Sequence, residues 1–100
     1  MAAEVAPEPL TITRHHSTKE LLKFDVTAAG EPFTTYQVGA ALLDADPASW
    51  AAPTVIGDRS GYLLDPTAAG YDEGDTLAVY AKINDGAEAV IRHVYTVILV

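Results

Sequence analysis

Apolar and polar residues alternate along several short stretches of the chain. The clearest stretch occupies residues 74–86, where the residues that recur at every second position are Leu77, Val79, Ala81 and Ile83. This is the period of a β-strand with one buried face. Asp85 and Gly86 follow, and this pair favours a tight two-residue hairpin. The pattern predicts a strand that runs into a hairpin turn.

Six further segments have strand-like patterns. They are residues 10–14, 20–27, 34–43, 54–56, 62–65 and 89–100. Residues typical of turns separate them, at 28–32, 44–47 and 57–61. Residues 47–52 are long enough to form one helical turn. About seven short strands with turn signals between them, and no helical period, predict an all-β sandwich.

Length and composition predict one domain without disulfides. A chain of 100 residues with 49% hydrophobic residues has enough material for one core. It contains no cysteine, so the core must hold the domain together without a disulfide. Residues 1–9 contain two prolines and two glutamates and show no period. We expect an extended or disordered arm at 1–9, followed by a sandwich domain at 10–100.

The charge of the chain narrows its possible partners. The net charge is −8, and a surface of this sign repels phosphate backbones, so we expect no nucleic-acid binding.

The longest unbroken apolar run, at residues 97–100, is far shorter than the ~20 residues of a membrane helix. The amino-terminal segment is acidic and lacks the features of a secretory signal. We therefore expect neither membrane insertion nor secretion through a cleaved signal.

The number and spacing of the predicted strands resemble an immunoglobulin-like domain over residues 10–100. The segment at 72–77 approximates the acid-turn-tyrosine signature before the penultimate strand, although Leu77 stands where the corner tyrosine would be. Trp50 falls in the loop after the third strand instead of within it, and there is no cysteine pair. The expected fold is an immunoglobulin-like β-sandwich of about seven antiparallel strands without a disulfide.

Three pieces of the sequence carry a narrower resemblance. They are RHHSTKELLKFDV at 14–26, YQVGAALLDAD at 36–46 continuing through Trp50 to Val55, and the segment at 74–85. These pieces look like the small immunoglobulin-like structural proteins in the virions of tailed phages of actinobacteria. The resemblance implies a component attached to the capsid or near the head-tail junction, located in a virion assembled in the host cytoplasm. It implies no enzymatic activity.

The polar residues form no pattern that indicates a catalytic site or a metal site. His15 and His16 are adjacent, which in an extended segment places their side chains on opposite faces, and His93 is distant in sequence. The serines at 17, 49 and 60 lie in polar loops and have no nucleophile-elbow signature. We therefore expect that the protein is not an enzyme and that it binds neither a cofactor nor a metal ion.

Two loop features leave alternatives open. Asp44 and Asp46, and the acids at 72, 73 and 75, offer oxygen ligands for calcium, but acidic turns are also common without an ion. The aromatic residues that could stack on sugar rings are Trp50, Tyr62 and Tyr71. They suggest a glycan-binding module as the alternative function. The other interpretation is that Trp50 covers one end of the predicted sandwich.

The last strand gives the sharpest signal for a contact surface. From Val94 onward both of its alternating sets of residues are nearly all apolar, whereas a sandwich strand usually exposes one face to water. The residues predicted to form an apolar outer sheet face that binds protein are Gly39, Ala41, Leu43, Ala78, Tyr80, Tyr95, Val97 and Leu99. The alternative is a β-bulge that swaps the faces partway along this strand. The expected partners are a capsid or tail protein, or further copies of the chain.

Overall fold

The computed structural model describes residues 3–5, 10–23, 26–28, 31–32, 36–85 and 88–100. Over this part of the chain the protein is mostly β-structure. The elements in chain order are β1 (Ala3–Val5), β2 (Leu10–Arg14), β3 (Glu20–Lys23), β4 (Val26–Ala28), β5 (Glu31–Pro32), β6 (Tyr36–Leu42), β7 (Thr54–Ile56), β8 (Arg59–Leu64), α1 (Pro66–Ala69), β9 (Thr76–Asp85) and β10 (Glu88–Leu99). Each of the seven predicted strands corresponds to at least one of these.

The described strands form one four-stranded and two three-stranded sheets. Their orders are β2-β10-β9-β6, β3-β8-β7 and β1-β4-β5. In the four-stranded sheet β2 runs parallel to β10, whereas β9 is antiparallel to both of its neighbours. The all-β prediction is therefore confirmed, although one pair of strands is parallel.

Among the described side chains, the core is formed by residues from the four-stranded sheet and the β3-β8-β7 sheet. The alternating residues of β9 are all buried, as predicted, and Leu22 of β3 and Leu64 of β8 belong to the same cluster. Asp85 pairs with Glu88, so β9 and β10 form a hairpin whose connecting residues 86 and 87 lie outside the described residues. The Tyr95 hydroxyl donates a hydrogen bond to the Lys23 carbonyl and so links the two sheets.

The predicted strand at 20–27 is divided between two sheets. β3 pairs with β8, whereas β4 pairs with β1 and β5. The backbones of β3 and β8 are so close that a Cβ atom on Gly61 would lie 1.9 Å from the Leu22 carbonyl oxygen. Residues 3–5 of the expected arm are extended but paired with β4, so at these positions the chain belongs to a sheet.

The one short helix of the described chain lies at a position that sequence patterns did not indicate. The Asp65 side chain accepts a hydrogen bond from the Ala68 amide, Pro66 begins the helix, and Gly70 ends it with a left-handed φ of 83°. Such caps stabilise even one turn. The helical turn considered at 47–52 is absent, because Ala51 instead exchanges two backbone hydrogen bonds with Val38.

Candidate interaction surface

The outer face of the four-stranded sheet is partly covered by the chain itself. The β6–β7 connection, residues 43–53, folds back across this face. A Cβ atom on Gly39 would lie 3.0 Å from both Pro47 Cβ and Trp50 Cε3, so the connection packs directly on β6. The Lys82 ammonium lies 5.6 Å from the centre of the Trp50 ring, within cation–π range.

Burial corrects three of the predicted interface residues. Gly39 is buried against the β6–β7 connection, Ala41 is 8% exposed, and Ala78 is 0% exposed. They lie on the predicted outer face but are buried within the chain itself, so they are not available to a partner protein. Trp50 therefore covers a sheet face, not an end of the sandwich.

A β-bulge corrects three further residues. The register between β9 and β10 shifts between His93 and Tyr95, so that Val94 is an extra residue in β10. Val94 is buried, and after the bulge the odd-numbered residues face the core: Tyr95 packs against it, while Val97 and Leu99 are 0% and 1% exposed. The outward residues of this half of β10 are Thr96 and Ile98, as the bulge alternative implies.

An exposed apolar patch remains at one end of the four-stranded sheet. The Leu43 amide donates to the Thr76 carbonyl at 2.8 Å, and Ile98 pairs with Thr76 from the other side. Leu43 and Ile98 therefore lie on either side of Thr76. We call this patch the apolar rim, and its members are Leu43 (45% exposed), Ile98 (38%) and Val100 (50%).

The other predicted interface residue, Tyr80, is half-buried in the middle of the outer face. Its ring lies 5.2 Å from the His93 ring, between centroids. The His93 Nε2 atom is 2.7 Å from the Tyr95 carbonyl oxygen and 3.0 Å from the Thr96 hydroxyl. These contacts hold the imidazole ring on the outer face beside the bulge.

Carboxylates surround the apolar rim. Asp44 and Asp46 follow Leu43 and are exposed, and so are Asp72 and Glu73 in the loop before β9. That loop is held at the rim because the Gly74 amide donates to the Leu99 carbonyl at 2.9 Å. Asp75 accepts a hydrogen bond from the Asp72 amide at 2.9 Å. Within the described ranges, no group of three or more His, Asp or Glu side chains is arranged to hold a metal ion.

The paired histidines are not on opposite faces of a strand. They lie in a turn after β2, and their rings stack with centroids 4.3 Å apart. His15 Nδ1 accepts a hydrogen bond from the Ser17 amide at 3.1 Å, and His16 Nδ1 lies 2.9 Å from the Val100 carbonyl oxygen. The turn therefore packs against the residue that follows β10.

The three aromatic residues of the glycan hypothesis do not share a surface. Trp50 packs on the outer side of β6, whereas Tyr62 and Tyr71 pack against the core on its inner side. The Tyr71 hydroxyl donates to the Ala40 carbonyl at 3.4 Å. Burial raises the pKa of Tyr62, and Tyr71 and Asp65 raise it further. These tyrosines line the interior and do not form a sugar-stacking platform with Trp50.

Ser60 lies in β8 and is half-buried, not in an exposed polar loop. Its hydroxyl is 2.9 Å from that of Tyr36, a core residue. Burial raises the pKa of Tyr36, and the hydrogen bond to Ser60 opposes this rise.

The structure shows a second surface with both charged and apolar side chains, and this surface was not predicted from the sequence. The outward positions of the β3-β8-β7 sheet combine basic and apolar side chains, and we call this surface the basic face. Its members are Leu21, Lys23, Ile56, Arg59 and Leu63. Lys23, Ile56 and Arg59 are exposed, and the two leucines are half-buried. The signal was present in the alternation of β3 and β8, but without the register nothing showed that these residues share one face.

Comparison of the chain with protein-family models, curated proteins and solved structures finds no match. The resemblance to phage virion proteins therefore stays a prediction from the sequence. Among the described residues, no helix has the length and apolar character needed to cross a membrane.

Proposed function

We propose that this chain is an immunoglobulin-like β-sandwich. The order β10-β9-β6 corresponds to strands G, F and C of that fold, and β3-β8-β7 corresponds to B, E and D. β1 pairs with β4 beside the B position, as strand A does. The parallel pairing of β2 with β10 then follows if the chain crosses from one sheet to the other after β1. These four correspondences support the assignment.

We further propose that the protein is a non-enzymatic structural component of a phage virion, located on the capsid or near the head-tail junction. It acts by binding protein: a capsid protein, a tail protein or its own copies. The observation that carries the binding role is the apolar rim, where three large apolar side chains are exposed on the outer face at one end of a sheet. A virion component needs contact surfaces of this kind. The virion assignment itself rests on the three sequence segments that resemble phage structural proteins.

The location is tested by mass spectrometry of virus particles. Particles are released from cultures of the source organism and purified through two successive density gradients. The proposal expects peptides of this chain at a fixed ratio to the major capsid protein in both gradients. If the chain stays in the soluble fraction, or if its ratio falls at each purification step, the virion role is wrong.

The contact surface is tested by binding to particles produced without the chain. A variant that combines Leu43→Ser with Ile98→Thr removes apolar surface from the rim, and it should lose most of its binding. Ile91→Thr is the matched control, because Ile91 is also an exposed β10 residue on the outer face but lies beyond the bulge, at the other end. Equal binding by the rim variant and the control would refute the rim as the contact.

A further inference from the structure

We propose that copies of this chain associate head to tail, with the apolar rim of one copy seated on the basic face of the next. This inference rests on the proposed structural role and names the partner as a second copy. The first support is the separation of charge. Of the six basic residues, three lie on or beside the basic face, namely Lys19, Lys23 and Arg59, and one exposed acid, Asp58, adjoins Arg59. The rim, in contrast, is bordered by Asp44, Asp46, Asp72 and Glu73.

The basic residue nearest the rim does not change this separation. The Arg14 carbonyl accepts a hydrogen bond from the Val100 amide, which places Arg14 beside the rim. Its guanidinium forms an ion pair with Glu20 and is therefore neutralised locally. Complementary potentials on two surfaces steer association and select the orientation of the partners.

The apolar residues of the two surfaces also match. The rim presents leucine, isoleucine and valine side chains. The basic face presents Leu21 and Leu63 as a pair next to Lys23, and the 44%-exposed Ile56 beside Arg59. Protein contacts commonly combine apolar and charged residues. Each surface provides both kinds, with opposite sign of charge.

The geometry selects a head-to-tail arrangement over a symmetric dimer. The rim lies at the end of the four-stranded sheet, and the basic face lies on the outer side of the other sheet, so one copy can use both surfaces at once. A rim-to-rim dimer would bring two sets of four carboxylates together, and a face-to-face dimer would oppose like basic charges. A contact between two different surfaces builds a ring or a filament.

The first experiment measures self-association of the unmodified chain. Sedimentation equilibrium from about 10 μM to about 1 mM should show a mass that rises above the 10.6 kDa of one chain. Raising the salt from about 0.05 M to about 0.5 M should weaken the association, because salt screens the charges. A chain that stays monomeric over the whole range, or associates equally at both salt concentrations, would overturn the proposal.

The second experiment tests the head-to-tail geometry with two variants. The rim variant carries Leu43→Ser with Ile98→Thr, and the face variant carries Ile56→Thr with Arg59→Ser. Each alone should be monomeric, because each has lost one of the two surfaces. An equimolar mixture should form a complex of one copy of each, since the intact face of one accepts the intact rim of the other. This complex also shows that both variants are folded.

Other outcomes would identify other contacts and overturn the proposal. If the face variant still self-associates while the rim variant does not, the contact is rim to rim. If the mixture contains only monomers although the unmodified chain associates, other surfaces are responsible. The structural role is measured separately: a monomeric chain that is nevertheless found in particles refutes the head-to-tail contact alone, and an associating chain that is absent from particles refutes the virion role alone.

Discussion

Gly61 shows how one residue fixes the packing of two strands. Its missing side chain allows the β8 backbone to approach β3, and a Cβ atom at this position would lie 1.9 Å from the Leu22 carbonyl oxygen. A backbone atom cannot move aside as the end of a flexible side chain can. At the sequence level Gly61 was read only as a turn residue, because nothing local to it shows that another strand crosses so closely.

We therefore predict that Gly61→Ala lowers the free energy of unfolding by more than about 3 kcal/mol, as severe overpacking does. Urea denaturation measures this change. Gly57→Ala is the matched control, since Gly57 has a φ of 63° and no atom within 4 Å of its Cβ position. The control should lose only about 1 kcal/mol, the cost of a left-handed conformation. A similar loss in both variants would contradict the close approach of β3 and β8.

Tyr62 gives a prediction for alkaline pH. Burial, then Tyr71 and Asp65, raise its pKa in the folded state above the ordinary value of about 10. The folded protein therefore holds this proton more tightly than the unfolded chain does. The resulting contribution to stability is complete below pH ~10 and is lost as the pH rises from there through the folded-state pKa.

The thermal unfolding midpoint should consequently fall above pH ~10, and the fall should be smaller in Tyr62→Phe. Differential scanning calorimetry from pH 8 to about 11.5 measures both slopes. A spectrophotometric titration at the tyrosinate band provides a check, because the variant should lose a phenol that ionises late. If the variant instead loses an early-titrating phenol, the burial of Tyr62 is wrong.

At the scale of elements, strands with a clean alternation were the easiest to predict. β9 alternates without interruption, and its inward residues are all buried in the structure. β10 is different, because one extra residue reverses which side chains face the core. Sequence periodicity revealed that both faces were apolar, but the position of a bulge depends on pairing with β9. For this reason Val97 and Leu99 were assigned to the wrong face.

The bulge leads to a prediction about single-residue deletions in β10. Deleting Val94 should restore regular pairing, because His93 and Tyr95 already pair with consecutive residues, Tyr80 and Val79. The cost should be the loss of one buried valine, about 1.5–3 kcal/mol. Deleting Thr96 should be far worse, because it turns Val97 and Leu99 outward. Thermal unfolding followed by circular dichroism distinguishes them, and the bulge is wrong if both deletions behave alike.

The β6–β7 connection shows why the candidate surface could only partly be predicted. Its turn residues indicated a loop correctly, and the small residues of β6 and β9 indicated a close contact on their outer face. That contact is made by the chain's own Pro47 and Trp50 and not by a partner. A loop carries no periodicity from which its path can be derived, whereas the path decides which part of the sheet stays exposed. The rim is one part of this face that the connection leaves uncovered.

At the scale of the whole molecule, the pairing of residues 3–5 bears on the boundary of the domain that composition indicated. The first nine residues have no hydrophobic period, so the sequence indicated an arm outside the sandwich. β1 nevertheless pairs with β4 in register, Ala3 with Ala28 and Val5 with Val26. Backbone hydrogen bonds do not require a particular side-chain pattern, and for this reason a short edge strand of this kind is not visible in composition.

This boundary gives a prediction for truncation. The chain 10–100 should still fold cooperatively, because the described core cluster is formed by residues from β3, β6, β8, β9 and β10. It should be less stable than the full chain by about 1–3 kcal/mol, since β4 loses one of its two paired neighbours. Urea denaturation of both chains measures the difference.

Glu4→Pro in the full chain provides a length-matched comparison. Glu4 pairs with Thr27 at the centre of β1, and proline cannot donate a hydrogen bond to the ladder. The substitution should reproduce most of the loss caused by truncation without removing any residue. If both altered chains unfold at the same urea concentration as the unmodified chain, β1 contributes nothing to stability, and residues 1–9 act as the arm that composition indicated. If only the truncated chain is destabilised, residues other than the paired strand are responsible.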